Sequence, residues 1–559
     1  MLSRYWHRFQ TDRRWAAGFA AVLLCAVGFL LYANTFANQL FWDDFDGIVN
    51  NVYIRDWSNL PKFFSQNLIA GAGLVSNYWR PLLLIGYALE WHVWGDVPAG
   101  YHLTSLAIHL GAAFLVYLLL ERLFRRPALA LLTALVFLAH PLQTEAVTYV
   151  SGRGDPLALL LMVGSILAFL RYRDSGRPAV VSPAYWLGLS CFVLALLTKE
   201  TAIALPALLA LAAWFAAERA PQLKKFVIDM VLRAWPHAAV LGTYVALRLT
   251  VLNFNNILNV YGQETVFTQN FHVRLFTFFK VMTIYAGLMV APMRLYMERT
   301  VDIPLSFFEP RVMAGAALCV FLLVLTVRYW RSRPVVAFGL AWFFLRILPN
   351  ANLLVPNSGL LYEHWLYSPL IGLFLAFFDA VLAGWRRLTA SRPAWGHVAR
   401  NAGLTVLVIF LIGLSVRTVW RNQDWRGPIV FYEQTLRYAR PSYRVLNNLG
   451  MAYDEAGRYD EARSTYERAV ALDSGNPVAH HNLGNQYRHL GRLEEAVGEF
   501  ETALAADANF LYSYRSLASL YLDAGRPQDA RAVLGRYRDR LATGAERDAI
   551  ESLLGQLSE

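Results

Sequence analysis

The sequence predicts an all-α protein in two parts: a polytopic membrane domain of about eleven helical spans, then a soluble α-solenoid. Three observations carry that prediction. Of the 559 residues, 56% are hydrophobic and only 16% charged, against about a quarter charged in soluble proteins. Apolar runs close to the roughly 20 residues that cross a bilayer recur as far as residue 420. Beyond them, a 34-residue self-similarity occupies the C-terminal region. A single soluble core cannot absorb so much apolar surface, since cores stop growing near about 250–300 residues. A soluble enzyme, a disordered chain and a fibrous repeat are therefore excluded.

The first apolar run, 15–34, follows Arg4, Arg8, Arg13 and Arg14. It ends in Tyr-Ala-Asn-Thr-Phe rather than a small-residue cleavage site, so a retained anchor is expected, with its N-terminus in the cytoplasm. Further runs lie at 101–121, 128–146, 155–171, 184–198, 201–217, 235–252, 310–329, 335–348, 360–384 and 402–420. Clusters Arg122/Arg125/Arg126, Arg171/Arg173/Arg177, Lys224/Lys225, Arg328/Arg331/Arg333 and Arg386/Arg387/Arg392 mark the cytoplasmic loops. Alternation works if 80–95 and 271–291, which are rich in aromatics and carry charges or histidines, lie at the interface instead of crossing. The connections 35–79, 253–309 and 349–359 then face outward. The net charge of +11 fits this topology. Residues 441–559 hold 18 acids and 13 arginines, a net of −5, which leaves +16 among the apolar segments. Nucleic acid is not implied. Cys25, Cys191 and Cys319 lie in apolar runs with neither metal-ligand spacing nor the even count of a disulfide framework.

After a membrane domain at 1–425 and a linker at 426–441, the repeats are expected at 442–476, 477–510 and 511–544, with a capping helix to 559. Leu449, Leu483 and Leu517 are in register, as are Tyr453/Tyr487/Tyr521, Gly457/Gly491/Gly525 and Ala462/Ala496/Ala530. This is the tetratricopeptide period. A helix pair cannot bury its apolar face alone, so small positions let neighbouring pairs stack. The array either binds a partner, such as a protein acceptor, in its concave face, or only packs and dimerises.

Several polar groups on the outward side have no structural need to be there. Asp43, Asp44 and Asp46 stand among aromatics just outside the first span; they are either a catalytic acid cluster or a solvated turn favoured by Asp-Gly and Asn-Asn. Arg80 enters the interfacial helix. His140 and Glu145 continue out of a span, followed by Arg153 and Asp155. Lys199-Glu200 joins two apolar runs with no loop, which marks a functional site by default, unless Lys199 simply neutralises Glu200. Glu363 and His364 open the tenth span. Arg80, Arg153, Lys199 and His364 suit an anionic headgroup, and the carboxylates suit a proton or hydroxyls, so a lipid-phosphate substrate fits.

These pieces in this order resemble the transmembrane and tetratricopeptide-repeat-containing O-mannosyltransferase family, of the C-type glycosyltransferase superfamily, in a bacterial form. The matching residues are Asp43-Asp44 with Ile48 and Asn50, Arg80-Pro81, His140-Pro141 with Thr144-Glu145-Ala146-Val147, Gly152-Arg153 with Asp155, and Lys199-Glu200-Thr201. Glu363 with Leu366-Tyr367 and Pro369, then Arg421-Asn422 with Asp424-Trp425, complete the series. His364 stands where the eukaryotic pattern has Arg, and the repeat array is short.

The resemblance implies transfer of mannose or a similar hexose, with inversion, from a polyprenyl phosphate to Ser/Thr of extracytoplasmic proteins. Asp43 would be the base and Asp44 the reserve or acceptor-orienting group. Arg80, Arg153, Lys199 and His364 would bind the donor phosphate. His140, Glu145, Asp155, Glu200 and Glu363 would support acceptor or sugar contacts. No cofactor or metal is required beyond the lipid-linked sugar, leaving a divalent ion at the acid pair open. The expected place is a bacterial inner membrane with periplasmic repeats, or the endoplasmic reticulum with luminal ones. Two alternatives stay open: an oligosaccharide ligase using a lipid-diphosphate donor, and a non-enzymatic scaffold or flippase.

Overall fold

The computed structural model describes residues 2–217, 221–254, 265–297, 299, 301–357, 359–391, 396–541 and 544–557. Arg392, the last member of the final basic cluster, lies outside them. Among the described residues all regular structure is helical. The chain divides into two units, Met1–Gly427 and Pro428–Glu559.

The first unit opens with α1 (Leu2–Thr11) and α2 (Arg13–Tyr32); the long connection after them holds α3 (Leu60–Ser65) and leads to α4 (Pro81–Trp94). Then come α5 (Pro98–Phe124), α6 (Pro127–Ala139), the short α7 (Thr144–Val147), α8 (Gly154–Ser175), α9 (Pro183–Leu196), α10 (Leu205–Phe215) and α11 (Leu223–Leu249). After α12 (Val266–Gln269) the unit closes with α13 (Phe271–Val290), α14 (Pro310–Tyr329), α15 (Pro334–Ile347), α16 (Pro369–Ser391) and α17 (Gly396–Gln423). Proline opens many of these helices, where its fixed φ suits the first turn and its missing N–H costs nothing.

Ion pairs sort the helix ends onto two faces. On one face Arg13 meets Glu121 at 3.0 Å, Arg122 meets Asp174 at 2.5 Å, Arg173 meets Asp229 at 3.4 Å, and Asp379 receives Arg126 and Arg333. The start of α2, the end of α5, the start of α6, the end of α8, the first turns of α11, the start of α15 and the middle of α16 therefore converge. Arg122, Arg126, Arg173 and Arg333, members of three of the predicted basic clusters, thus gather on one face. The opposite ends of α6, α8 and α16 carry or adjoin His140, Arg153, Asp155, Glu363 and His364.

By length and composition alone, seven helices suffice to cross a membrane, or eight if the bent α6–α7 pair is one span; α9, α10 and α15 belong to shorter apolar helices. The expected spans at 184–198, 201–217 and 335–348 thus fall on helices shorter than the crossing length, and two further differences concern α11 and α13. Helix α11 is not among the seven, and its first half carries Lys224, Lys225, Asp229 and Arg233. Helix α13 is among them, yet both its ends touch the site face: Arg274 donates to the Leu353 carbonyl at 3.2 Å and the Met289 carbonyl meets His140 at 3.3 Å. Its midpoint Lys280 pairs with Glu309 at 2.6 Å, just before α14 begins. Helix α4 is likewise held on that face from both ends, through Arg80 and Glu90. Apolar length permits a crossing; the contacts decide whether one is made.

The second unit is a stack of helix pairs: α18 (Pro428–Tyr438), α19 (Tyr443–Glu455), α20 (Tyr459–Leu472), α21 (Pro477–His489), α22 (Leu493–Ala506), α23 (Leu511–Asp523), α24 (Pro527–Arg538) and α25 (Ala545–Gln556). Residues 426–441, expected as a linker, contain α18: Phe431, Tyr432 and Thr435 are buried along one side of that helix, and Glu433 accepts from the Tyr453 hydroxyl at 2.6 Å. Gly457, Gly491 and Gly525 sit at φ near +70° just past α19, α21 and α23, the left-handed position that ends a helix. A Cβ at Gly450 or Gly484 would lie 2.6 or 2.9 Å from the Tyr466 or Phe500 ring of the paired helix, so these glycines allow the close approach.

Candidate active site

One segment, 140–155, ties the site together. The α6 helix ends at His140 because Pro141 follows, and the residue before a proline is forced out of the helical region. His140 is extended (ψ 129°) and the chain bends by 59°. The segment then crosses the site face, placing Glu145, Tyr149, Ser151, Arg153 and Asp155 in three neighbouring clusters.

The first cluster holds the acid pair. Trp42, just before it, has φ +59°, a left-handed conformation that costs a bulky residue roughly 1–2 kcal/mol. Asp43 is exposed, while Asp44 is 1% exposed. The Ser151 backbone N–H and hydroxyl donate to Asp44 Oδ1 at 2.8 and 2.5 Å. The Asp43 N–H donates to the Tyr149 hydroxyl at 3.2 Å, and the Tyr149 ring stacks on Trp425. Beside them, Arg153 is buried against Glu90 and donates to the Tyr101 carbonyl at 2.8 Å.

Burial pushes the Asp44 carboxyl up to about 7; the Ser151 hydrogen bonds oppose that shift and the Asp43 charge adds to it. A raised acid stabilises the fold while it is protonated and loses that contribution as pH rises from its unfolded value, near 4, through 7. Asp44→Asn keeps an acceptor for Ser151 and removes the titration. In thermal melts the variant should match the wild type near pH 4. It should gain on it by at most about 1.4 kcal/mol per pH unit up to pH 7. A pH-independent difference would contradict the burial argument.

The second cluster joins the end of α9 to the starts of α4, α8 and α10. Lys199 donates to Asp155 at 2.7 Å and Arg80 pairs with Glu200 at 2.9 Å. Lys199 and Glu200 therefore do not neutralise each other, although they adjoin in sequence; each crosses to another element. In the third cluster Glu145 accepts from the His364 ring at 2.6 Å and its backbone N–H at 3.1 Å. Glu363, 1% exposed, accepts from Arg299 at 3.0 Å, Arg421 at 3.4 Å and the Tyr296 N–H at 2.9 Å.

All the predicted residues thus lie on one face, but their pairing was not foreseen. Each cation assigned to the donor phosphate already has a carboxylate: Arg80 with Glu200, Arg153 with Glu90, Lys199 with Asp155, His364 with Glu145. His140 differs from the rest: it accepts from the Leu142 N–H at Nδ1, which leaves Nε2 to donate to Met289, so both nitrogens serve the backbone. Sequence reasoning missed Glu90, Arg299 and Arg346. Glu90 and Arg346 carried the signal that drew attention to Lys199, a charge inside an apolar helix. No group of three His, Cys, Asp or Glu residues among the described residues is arranged to hold a metal.

The tetratricopeptide repeat family matches residues 455–514 and 511–536. The chain is 25% identical over 488 residues to mouse Protein O-mannosyl-transferase TMTC3, covering 82% of this chain and 51% of that protein. The chain is a relative of the TMTC protein O-mannosyl-transferases. Human TMTC4 is 24% identical over 499 residues, covering 80% of this chain and 65% of that protein. A shorter match to human TMTC1 reaches 34% over 196 residues, 33% of this chain and 22% of the relative. The chain spans about half the length of the TMTC3 relatives it matches.

Proposed function

We propose that the chain transfers a hexose, mannose or similar, from a polyprenyl-phosphate carrier to Ser or Thr hydroxyls of proteins on the site-face side of the membrane. The carrying observation is the acid pair: Asp43 exposed, Asp44 buried and held by Ser151, with the Arg153 charge beside it. The TMTC relatives support the reaction class. In this reading Asp43 takes the acceptor proton as the hydroxyl oxygen attacks the anomeric carbon. The bond from that carbon to the phosphate oxygen breaks, its electrons leave with the phosphate, and the configuration inverts. The leaving group needs cationic stabilisation more than an acid. Asp44 fixes the loop that presents Asp43.

The basic face is then cytoplasmic, as positive-inside anchoring requires, and the site face and repeats lie outside, in the periplasm of a bacterium or the endoplasmic reticulum lumen. The repeats present the protein acceptor. Purified full-length protein incubated with labelled polyprenyl-phosphate hexose and extracytoplasmic proteins should place label on Ser or Thr. Label delivered only from a lipid-diphosphate donor, or from neither donor, would overturn the reading.

A further inference from the structure

Arg346 breaks the pairing pattern of the site. It lies one residue before the end of α15 and is 3% exposed. Its Nε donates to the Ser368 hydroxyl oxygen at 2.7 Å and its Nη1 to the Thr201 carbonyl at 2.8 Å. Among the described residues no carboxylate forms an ion pair with it; the carboxylate whose charge reaches it, Asp155, is already engaged by Lys199. A charge withdrawn from water without a counter-ion is costly, and buried cations are normally paired. Beside it the Thr201 hydroxyl is buried and has no hydrogen-bond partner. The Ser368 oxygen accepts from Arg346, so the Ser368 proton remains to be given. Helices α15 and α16 and the 200–204 turn thus bring one unmatched positive charge and two hydroxyl donors to one place. Such a set fits an anion with several acceptor oxygens.

We propose that Arg346, Thr201 and Ser368 receive the phosphate of the lipid-linked donor. The inference rests on the transferase reading above and assigns the role that the carboxylate-paired Arg80, Arg153, Lys199 and His364 are less suited to fill. When the bond between the anomeric carbon and the phosphate oxygen breaks, the electron pair stays on that oxygen. The added charge falls on a group held by an already desolvated guanidinium, where it is stabilised most.

Full-length protein in detergent is titrated with polyprenyl monophosphate lacking a sugar and, separately, with inorganic phosphate. Polyprenyl monophosphate should bind at least tenfold more tightly than inorganic phosphate. Arg346→Met should weaken that binding by about 10–100-fold, the worth of a charge-assisted contact. Thr201→Val should weaken it by about 5–10-fold while leaving the melting temperature unchanged or higher, because the hydroxyl it removes has no partner in the free protein. That second variant decides the matter if Arg346→Met fails to fold. Unchanged lipid-phosphate binding in folded Thr201→Val and Arg346→Met, with transfer intact in the wild type, would sink the inference and spare the transferase reading. Tighter binding of inorganic phosphate would also sink it. A wild type that neither binds the lipid phosphate nor uses its sugar conjugate would remove both.

Discussion

Asp43→Asn is expected to lower sugar transfer by about 10²–10⁴-fold, the usual cost of losing a positioned base, with insertion, yield and melting temperature unchanged. The side chain is exposed and the residue is anchored through its backbone N–H, which donates to Tyr149 and survives the substitution. Asp44→Asn is the internal comparison. It keeps the acceptor that Ser151 requires, so transfer should fall by less than about tenfold if Asp44 only holds the loop. The measurement is single-turnover transfer at saturating donor. Full activity in both variants would remove the acid pair from the mechanism, and a larger loss at Asp44 than at Asp43 would exchange their roles.

The second large effect falls on stability. The side chains of Arg153 and Glu90 are 3% and 7% exposed. Arg153→Met leaves the Glu90 carboxylate buried and unpaired, and breaking such a pair from one side costs about 3–5 kcal/mol. The variant should lose most of its yield or melt far below the wild type. Adding Glu90→Leu removes the stranded charge and should restore most of that loss. If the restored double variant transfers sugar, Arg153 serves the fold. If it is stable and inactive, Arg153 has a further role in the reaction. An Arg153→Met protein as stable as the wild type would contradict the buried pair itself.

The frame of the first unit was readable because two signals reinforce each other. Apolar run length located the helices, and arginine clusters located one set of ends. The sequence shows only the apolar run 235–252 of α11; its charged first half lies on the basic face, where Asp229 meets Arg173 and Arg233. The residues of the site were readable as charges in apolar surroundings. Their partners were not, because partnership is set by the fold: Arg153 and Glu90 are 63 positions apart, Lys199 and Asp155 are 44, and Glu145 and His364 are 219. Adjacency misled at Lys199-Glu200, where the close pair in sequence is split between two elements. Helix α18 was missed since Arg-Gly-Pro and Arg-Pro-Ser bracket it like a linker, although Phe431, Tyr432 and Thr435 gave it an apolar side.

The break at His140-Pro141 makes the stretch from Glu145 to Asp155 a gauge of fixed length. Three anchors along it are met by partners on different connections between helices: His364 for Glu145, Asp44 for Ser151 and Lys199 for Asp155. A single residue inserted or lost between the first anchor and the last would displace all later ones by one backbone step, roughly 3–4 Å, more than a hydrogen bond tolerates. A point substitution there breaks one anchor or one buried pair; a change in spacing breaks every later one together.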